Sequence, residues 1–246
     1  MKRAILIGVL VVLAFAGMIL SRFPASWARG FLPASIHCAT LGGSLWNGRC
    51  GGLSVQGKPV GDIGWKLQAL PLLAGKVAAD VRYAQGNANA TGKIETGLSG
   101  NKLLARDVKA SFPIDSTVVP ILPPGLQGFA TADLAVLEVE GRVITALQGR
   151  VEARDLAKRG GSNTPYGSYE LLFAGAENGE PLAQLRDIGG PLAVTGTLKL
   201  TREPGFALEG LVAPRANADP ALAQQIQFLG SPDAQGRRPF SIAGTF

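Results

Sequence analysis

Past a short apolar start, hydrophobic and polar positions along the chain alternate with a period of two, in short runs separated by Gly, Pro and Asn. In Gly61-Asp62-Ile63-Gly64-Trp65-Lys66-Leu67 the side chains of Ile63, Trp65 and Leu67 fall on one face, as in a half-buried strand. Val77, Ala79, Val81 and Tyr83 alternate in the same way with Lys76, Ala78, Asp80 and Arg82. The pattern predicts strands over 36–46, 49–56, 60–67, 76–83, 87–96 and 102–112. It resumes over 128–140, 142–156, 166–174, 181–188, 191–202 and 205–212, with a last strand around Phe240 and Ile242. Asn47-Gly48 and Gly57-Lys58-Pro59 are the expected first turns.

Two helices fit the pattern. Ala69–Ala74 allows one helical turn, shortened by Pro71. Asp219–Leu229 has Asp219 as N-cap, Pro220 at the first helical position, Gly230 just past the end, and Leu222, Ile226 and Leu229 at helical spacing. Pro113, Pro120, Pro123 and Pro124 exclude a strand interior across 113–127, a natural divider between two β-rich halves. No βαβ rhythm occurs, so the expected class is mainly β, an extended antiparallel meander. Composition agrees: 33 of 246 residues are Gly, nearly twice the usual share of about 7% and without a three-residue period, which excludes collagen.

The start of the chain has a different character. Met1-Lys2-Arg3 precedes seventeen uncharged residues, Ala4–Leu20, followed by Ser21-Arg22. As an eighteen-residue helix, with Ser21 included, this stretch reaches about 27 Å, close to the roughly 30 Å hydrocarbon layer of a bilayer. Residues 1–22 are therefore expected to be a cytoplasmic terminus and a single transmembrane anchor, and residues 23–246 a domain on the far side. Ala14-Phe15-Ala16 offers the alternative of a signal peptide cleaved after Ala16. The apolar run continues through Gly17–Leu20 and favours retention. Either outcome exports the remainder.

Export changes how the two cysteines are read. Cys38 and Cys50 form an even pair without a CxxC or zinc-type spacing, so an oxidising compartment favours a disulfide between them. With Asn47-Gly48 as a two-residue turn, however, Leu45 lies opposite Cys50. The strand must then break or bulge at Gly42-Gly43 for the sulfurs to meet.

The net charge of +6 does not point to nucleic acid. The densest basic cluster, Arg142–Arg159, is interrupted by Glu152 and Asp155 and holds no aromatic platform. Catalysis lacks its parts as well. His37 is the lone histidine, so a Ser-His-Asp or Cys-His arrangement has one candidate base, beside a cysteine better explained by pairing. Glu138 and Glu140, before Gly141, fit a solvent-facing hairpin end, and Glu152 and Asp155, flanked by arginines, fit salt bridges. Neither zinc-ligand spacing nor a phosphate-binding Gly-x-Gly-x-x-Gly is present. The expectation is a non-enzymatic protein with no cofactor and no metal.

Four stretches resemble a known family. Leu41-Gly42-Gly43-Ser44-Leu45-Trp46-Asn47-Gly48 resembles the G-x-x-W-x-G hairpin near the start of protein N of the type II (general) secretion pathway. Trp65-Lys66-Leu67 with Pro71, Leu72-Leu73 and Gly75 is similar to its W-x-L-x(3)-P-L-L-x-G stretch. Asp187-Ile188-Gly189-Gly190-Pro191-Leu192 with Gly196-Thr197-Leu198 is similar to its D-x-G-G-P-L-x(3)-G-x-L element. Leu229-Gly230-Ser231-Pro232-Asp233 with Gly236-Arg237, Phe240 and Gly244 resembles its closing L-G-x-x-D-x-x-G-R-x-x-F-x(3)-G motif.

The resemblance implies an accessory subunit in the inner membrane, single-pass, with the bulk of the chain in the periplasm and other secretion subunits as partners. It also implies likeness to lipid-handling folds with long curved sheets, half-barrels or grooves. A periplasmic lipid-binding or lipid-transfer module with an apolar β groove is thus the alternative function, and lipid the alternative partner. For the matched residues the expected roles are structural: Trp46 and Trp65 as core or edge aromatics, the glycines as backbone necessities, and Arg237 paired with Asp233.

Overall fold

The computed structural model describes residues 22–26, 30, 33–97, 99–114, 125–158, 160, 164–177, 179–203 and 205–245. The expected membrane segment therefore lies outside the described residues, Arg22 excepted. Among the described residues no helix is long and apolar enough to cross a membrane. The chain divides into two compact units, before and after the Gly86/Asn87 junction.

The first unit holds β1 (Ile36–Gly43), β2 (Asn47–Val55), β3 (Lys58–Gln68), α1 (Ala69–Leu73) and β4 (Lys76–Gln85). Each strand pairs antiparallel with the next. The first hairpin differs from the expected one. Gly43 pairs with Gly48, so Ser44–Asn47 form a four-residue loop and Asn47-Gly48 begins β2. The loop is fixed by Ser44 N donating to Asn47 O at 2.9 Å and Asn47 N donating to Ser44 Oγ at 3.1 Å.

This register places Leu41, not Leu45, opposite Cys50, while Cys38 faces Leu53. Cys38 and Cys50 are nevertheless disulfide-bonded, with Cα atoms 5.5 Å apart. The backbone break that the pairing demands lies in β2 and not at Gly42-Gly43. Gly52 sits at φ +61, and the β2–β3 register shifts between Cys50 and Leu53. Asp62 Oδ1 accepts from Gly52 N at 2.8 Å and secures the bulge, the usual way in which an inserted residue kinks one strand.

The second unit holds β5 (Ala88–Gly97), β6 (Lys102–Ile114), β7 (Leu126–Glu140), β8 (Val143–Lys158), β9 (Thr164–Glu177), β10 (Glu180–Gly189), β11 (Leu192–Thr201), β12 (Gly205–Pro214), α2 (Pro220–Ile226) and β13 (Arg238–Thr245). From β5 to β13 every strand pairs antiparallel with its neighbour in the chain. The predominantly β, antiparallel class and the short late helix thus match the expectation. The Pro-rich stretch separates β6 and β7 but is shorter than expected: Pro113 and Ile114 belong to β6 and Leu126 and Gln127 to β7, and the two strands pair from Lys102↔Glu140 to Ile114↔Gly128, Pro113 included.

This sheet is strongly bent around β9 and β10. Backbones of β8 and β11 come within 8 Å of each other, whereas three strand spacings in a flat sheet amount to about 14 Å. Bulges supply the bend. The β7–β8 register shifts beside Gly149 at φ +135, and the β8–β9 register shifts across Asp155 at φ +52. The inner face packs Leu134, Leu147, Phe173, Ala183 and Leu200 into one buried cluster, flanked by Val108 from β6 and Phe206 from β12.

A second cluster seats α2. Leu222 and Ile226 lie buried against Leu192, Val194 and Val212, with Leu229 and Phe240 alongside. Asp219 caps the helix, its Oδ1 accepting from Ala221 N at 2.8 Å. The helical segment ends at Ile226, with Gln227 as C-cap, four residues before Gly230.

Candidate functional site

The motif residues gather into three places, one in the first unit and two in the second. In the first, Gly48 is paired with Trp65 across β2 and β3. The indole lies directly over the glycine: a Cβ on Gly48 would stand 2.3 Å from Trp65 Cζ2. Trp65 Nε1 donates to Leu45 O at 2.8 Å, and Leu67 N donates to Trp46 O at 2.7 Å. Two residues of one strand, β3, therefore hold the loop that carries half-buried Trp46. On its other side Leu45 N donates to Phe23 O at 2.8 Å, and Pro24 bridges to Ser44. Pro71 lies inside α1, and Gly75, at φ +69, closes the turn with its N donating to Leu72 O at 3.1 Å, the left-handed termination that glycine permits.

The second place is the turn between β10 and β11. Asp187 Oδ2 accepts from Val194 N at 3.0 Å, and Oδ1 accepts from Arg215 Nη2. Arg215 Nη1 reaches Gly190 O at 3.0 Å and Leu192 O at 3.1 Å. One carboxylate and one guanidinium thus clamp Gly189-Gly190-Pro191. Gly190 is at φ +131, and a Cβ there would lie 2.4 Å from Gly167 Cα. Tyr169, opposite Asp187, donates its hydroxyl to Tyr166 O at 2.6 Å. Burial, reinforced by the Asp187 charge, pushes its phenol up to about 12, so it stays protonated.

The third place is the tail. Gly196 pairs with Gly210, and Gly210 pairs with Phe240. A Cβ on Gly210 would stand 2.7 Å from Phe240 Cζ, and one on Gly196 would stand 2.4 Å from Glu209 O. Phe240 and the two glycines line, with Glu209 and Ser241, an open depression of about 730 Å³. Gly230 O accepts from Arg238 Nη1 at 2.7 Å, and Gly244 pairs with Phe206. Gly236, at φ +76, makes the turn.

Asp233 organises that turn. Its Oδ1 accepts from Gln235 N at 2.9 Å and from Arg237 N at 2.8 Å, and its Oδ2 from Arg237 Nε at 2.8 Å. Burial pushes the carboxyl up, but the hydrogen bonds from Arg237 and Gln235 outweigh it and hold the group below its ordinary value of 3.8. A depressed folded-state value contributes stability above the unfolded value and loses it as pH falls through the folded one. The stability margin of the natural chain over Asp233→Asn is therefore expected to be full near neutral pH and to shrink below about pH 4. Urea midpoints of both proteins across that range check this; a margin independent of pH would refute it.

The salt bridges expected at Glu152 form, with Arg150 and Arg154, but sequence reasoning did not find that they belong to an acid and arginine ladder across β8, β9 and β10 centred on Glu170. Glu170 is 2% exposed, faces Glu152 and Arg186 in register, and is ion-paired with Arg186 and, at 2.8 Å, with Arg150. Arg154 takes Glu152 at 2.6 Å. Only the 150–154 alternation of Arg and Glu signalled it. Glu138, expected to face solvent, pairs with Lys102 at 2.8 Å and accepts from Thr145 Oγ1 at 3.0 Å. The Lys102 ammonium holds its carboxyl below the ordinary range. His37 is exposed on β1, and among the described residues no group of three His, Cys, Asp or Glu side chains converges as metal ligands would.

These places define a class: a β-meander whose signature residues brace turns and let strands, rings and backbones approach closely. A family model described as type II secretion system (T2SS), protein N matches residues 34–241, and the chain belongs to that family. It is 26% identical over 254 residues to the Type II secretion system protein N of Vibrio cholerae serotype O1, with 99% of each chain covered. It is 24% identical over 259 residues, again with 99% of each covered, to the protein of that name from Aeromonas hydrophila. No solved structure matches the chain.

Proposed function

We propose that the chain is a non-enzymatic accessory subunit of the type II secretion system, held in the inner membrane by residues 4–20, with both β units in the periplasm. There it assists export of folded proteins across the outer membrane by offering β surfaces to other subunits. The observation that carries this reading is the family match, which covers residues 34–241 and so spans both units, three motif stretches whole and the fourth as far as Phe240. The Cys38–Cys50 disulfide supports an oxidising compartment, and the motif residues support a bracing role because Gly48, Gly75, Gly190, Gly196, Asp233 and Gly236 make turns or close approaches.

The alternative of a lipid-binding module gains less support. The inner face of the second unit is filled, where Leu134, Leu147, Phe173, Ala183 and Leu200 meet, by its own side chains. A groove for an acyl chain needs that space open.

Deletion of the gene is expected to reduce export of the host's type II substrates, and the tagged full-length chain to co-purify from membranes with other subunits of the machine. Normal export together with recovery of the chain alone would sink the proposal. A reporter enzyme active only in the cytosol, working at the carboxyl end, would overturn the topology by itself.

A further inference from the structure

The turn of α1 is apolar and uncovered. Leu70 and Leu73 are 80% and 87% exposed, and Leu72 is 37% exposed. Leu70 and Leu73 stand three apart on one helical face. Gln68 to Gly75 contains no charge, whereas Lys66 and Lys76 flank it. Exposed leucines concentrated in this way mark a contact surface.

The place of α1 in its unit indicates the contact. It joins the end of β3 to the start of β4, the same end of the unit as the Ser44–Asn47 loop. That loop is where the chain enters, through Phe23 and Pro24, and Trp46 O accepts from Leu67 N just before α1 begins. Leu20, the last residue of the uncharged stretch, precedes Phe23 by three residues, which is about 11 Å of chain at most.

Charge is distributed to match. Residues 22–86 carry seven Lys or Arg against two Asp, while residues 87–246 carry fifteen basic against sixteen acidic residues. The excess of positive charge thus belongs to the unit that adjoins the apolar stretch, where anionic headgroups would attract it.

We propose that α1 is a membrane-surface contact: Leu70 and Leu73 enter the headgroup and acyl boundary of the bilayer that residues 4–20 cross, with Arg22, Lys66 and Lys76 beside the phosphates. The contact rests on the reading of residues 4–20 as a retained membrane segment. Its effect is to fix the first unit against the membrane by two attachments, so that β1–β4 cannot swing about the tether.

The test uses the full-length chain in vesicles of phosphatidylethanolamine and phosphatidylglycerol. An environment-sensitive dye is placed at Leu73→Cys and, as a control, at Lys58→Cys, about 30 Å away along β3. The native cysteines are occupied by their disulfide. Blue-shifted emission at 73, quenched severalfold more strongly by headgroup nitroxide lipid than at 58, supports the contact. Adding Leu70→Glu, an exposed position at which the fold tolerates charge, should abolish the shift. If the chain floats with vesicles and the two dyes respond alike, the contact is wrong and the anchor stands. Failure to float refutes the anchor and the contact together. A shift that appears only when other secretion subunits are present assigns α1 to a protein partner and overturns the proposal.

Discussion

Gly48→Val is expected to destabilise the first unit by about 3 kcal/mol, the sum of overpacking and a lost hydrogen bond. The added Cβ would meet the Trp65 ring at 2.3 Å and Ser44 O at 2.8 Å, both under van der Waals contact. The ring cannot simply tilt away, because Nε1 is bound to Leu45 O. Releasing it frees the loop that holds Trp46 and the entry segment at Phe23. Urea unfolding of the full chain followed by tryptophan fluorescence measures the loss, and an unchanged midpoint would show that the stacking is incidental. Trp65→Leu in the Gly48→Val background should recover part of the loss, since the two changes remove one clash and are not additive.

Removing the disulfide is expected to cost a similar amount, about 3 kcal/mol from the added freedom of the unfolded chain. Cys38→Ala with Cys50→Ala is the suitable variant, because Cys50 is 4% exposed and a serine hydroxyl there would bring its own desolvation penalty. Reductant on the natural chain should lower its midpoint to that of the variant and leave the variant unmoved. If reductant changes neither protein, the bond is not a stabilising link.

The alternation of residues located the strands, and the Asp219 cap located the start of α2, because a half-buried strand and an amphipathic helix write their periods directly into the chain. Turn geometry was less legible. Asn47-Gly48 carries the chemistry of a two-residue hairpin, yet the turn lies at Ser44–Asn47, held by bonds from Leu67, Phe23 and Trp65, and the bulge lies at Gly52, held by Asp62. The bend of the second sheet was hidden for a related reason: it arises from register shifts at Gly149 and Asp155, which involve two strands at once. At the motif sites, Asp233 with Arg237 was legible because both partners share one short turn. Arg215, which reaches Asp187 across 28 positions, left no local mark. The leucines of α1 were visible as the P-L-L stretch, but only the structure shows them facing outward.

In each unit the strand order follows the chain order, and this bears on how such a molecule can assemble. A strand that has just emerged finds its mate already in place, so no part of the ladder waits for a distant segment, and loops to be closed stay short. A polypeptide delivered end first through a narrow passage can therefore zip up hairpin by hairpin behind its leading end, so that beyond the outer edge of the first strand the newest edge alone awaits a neighbour strand at any moment.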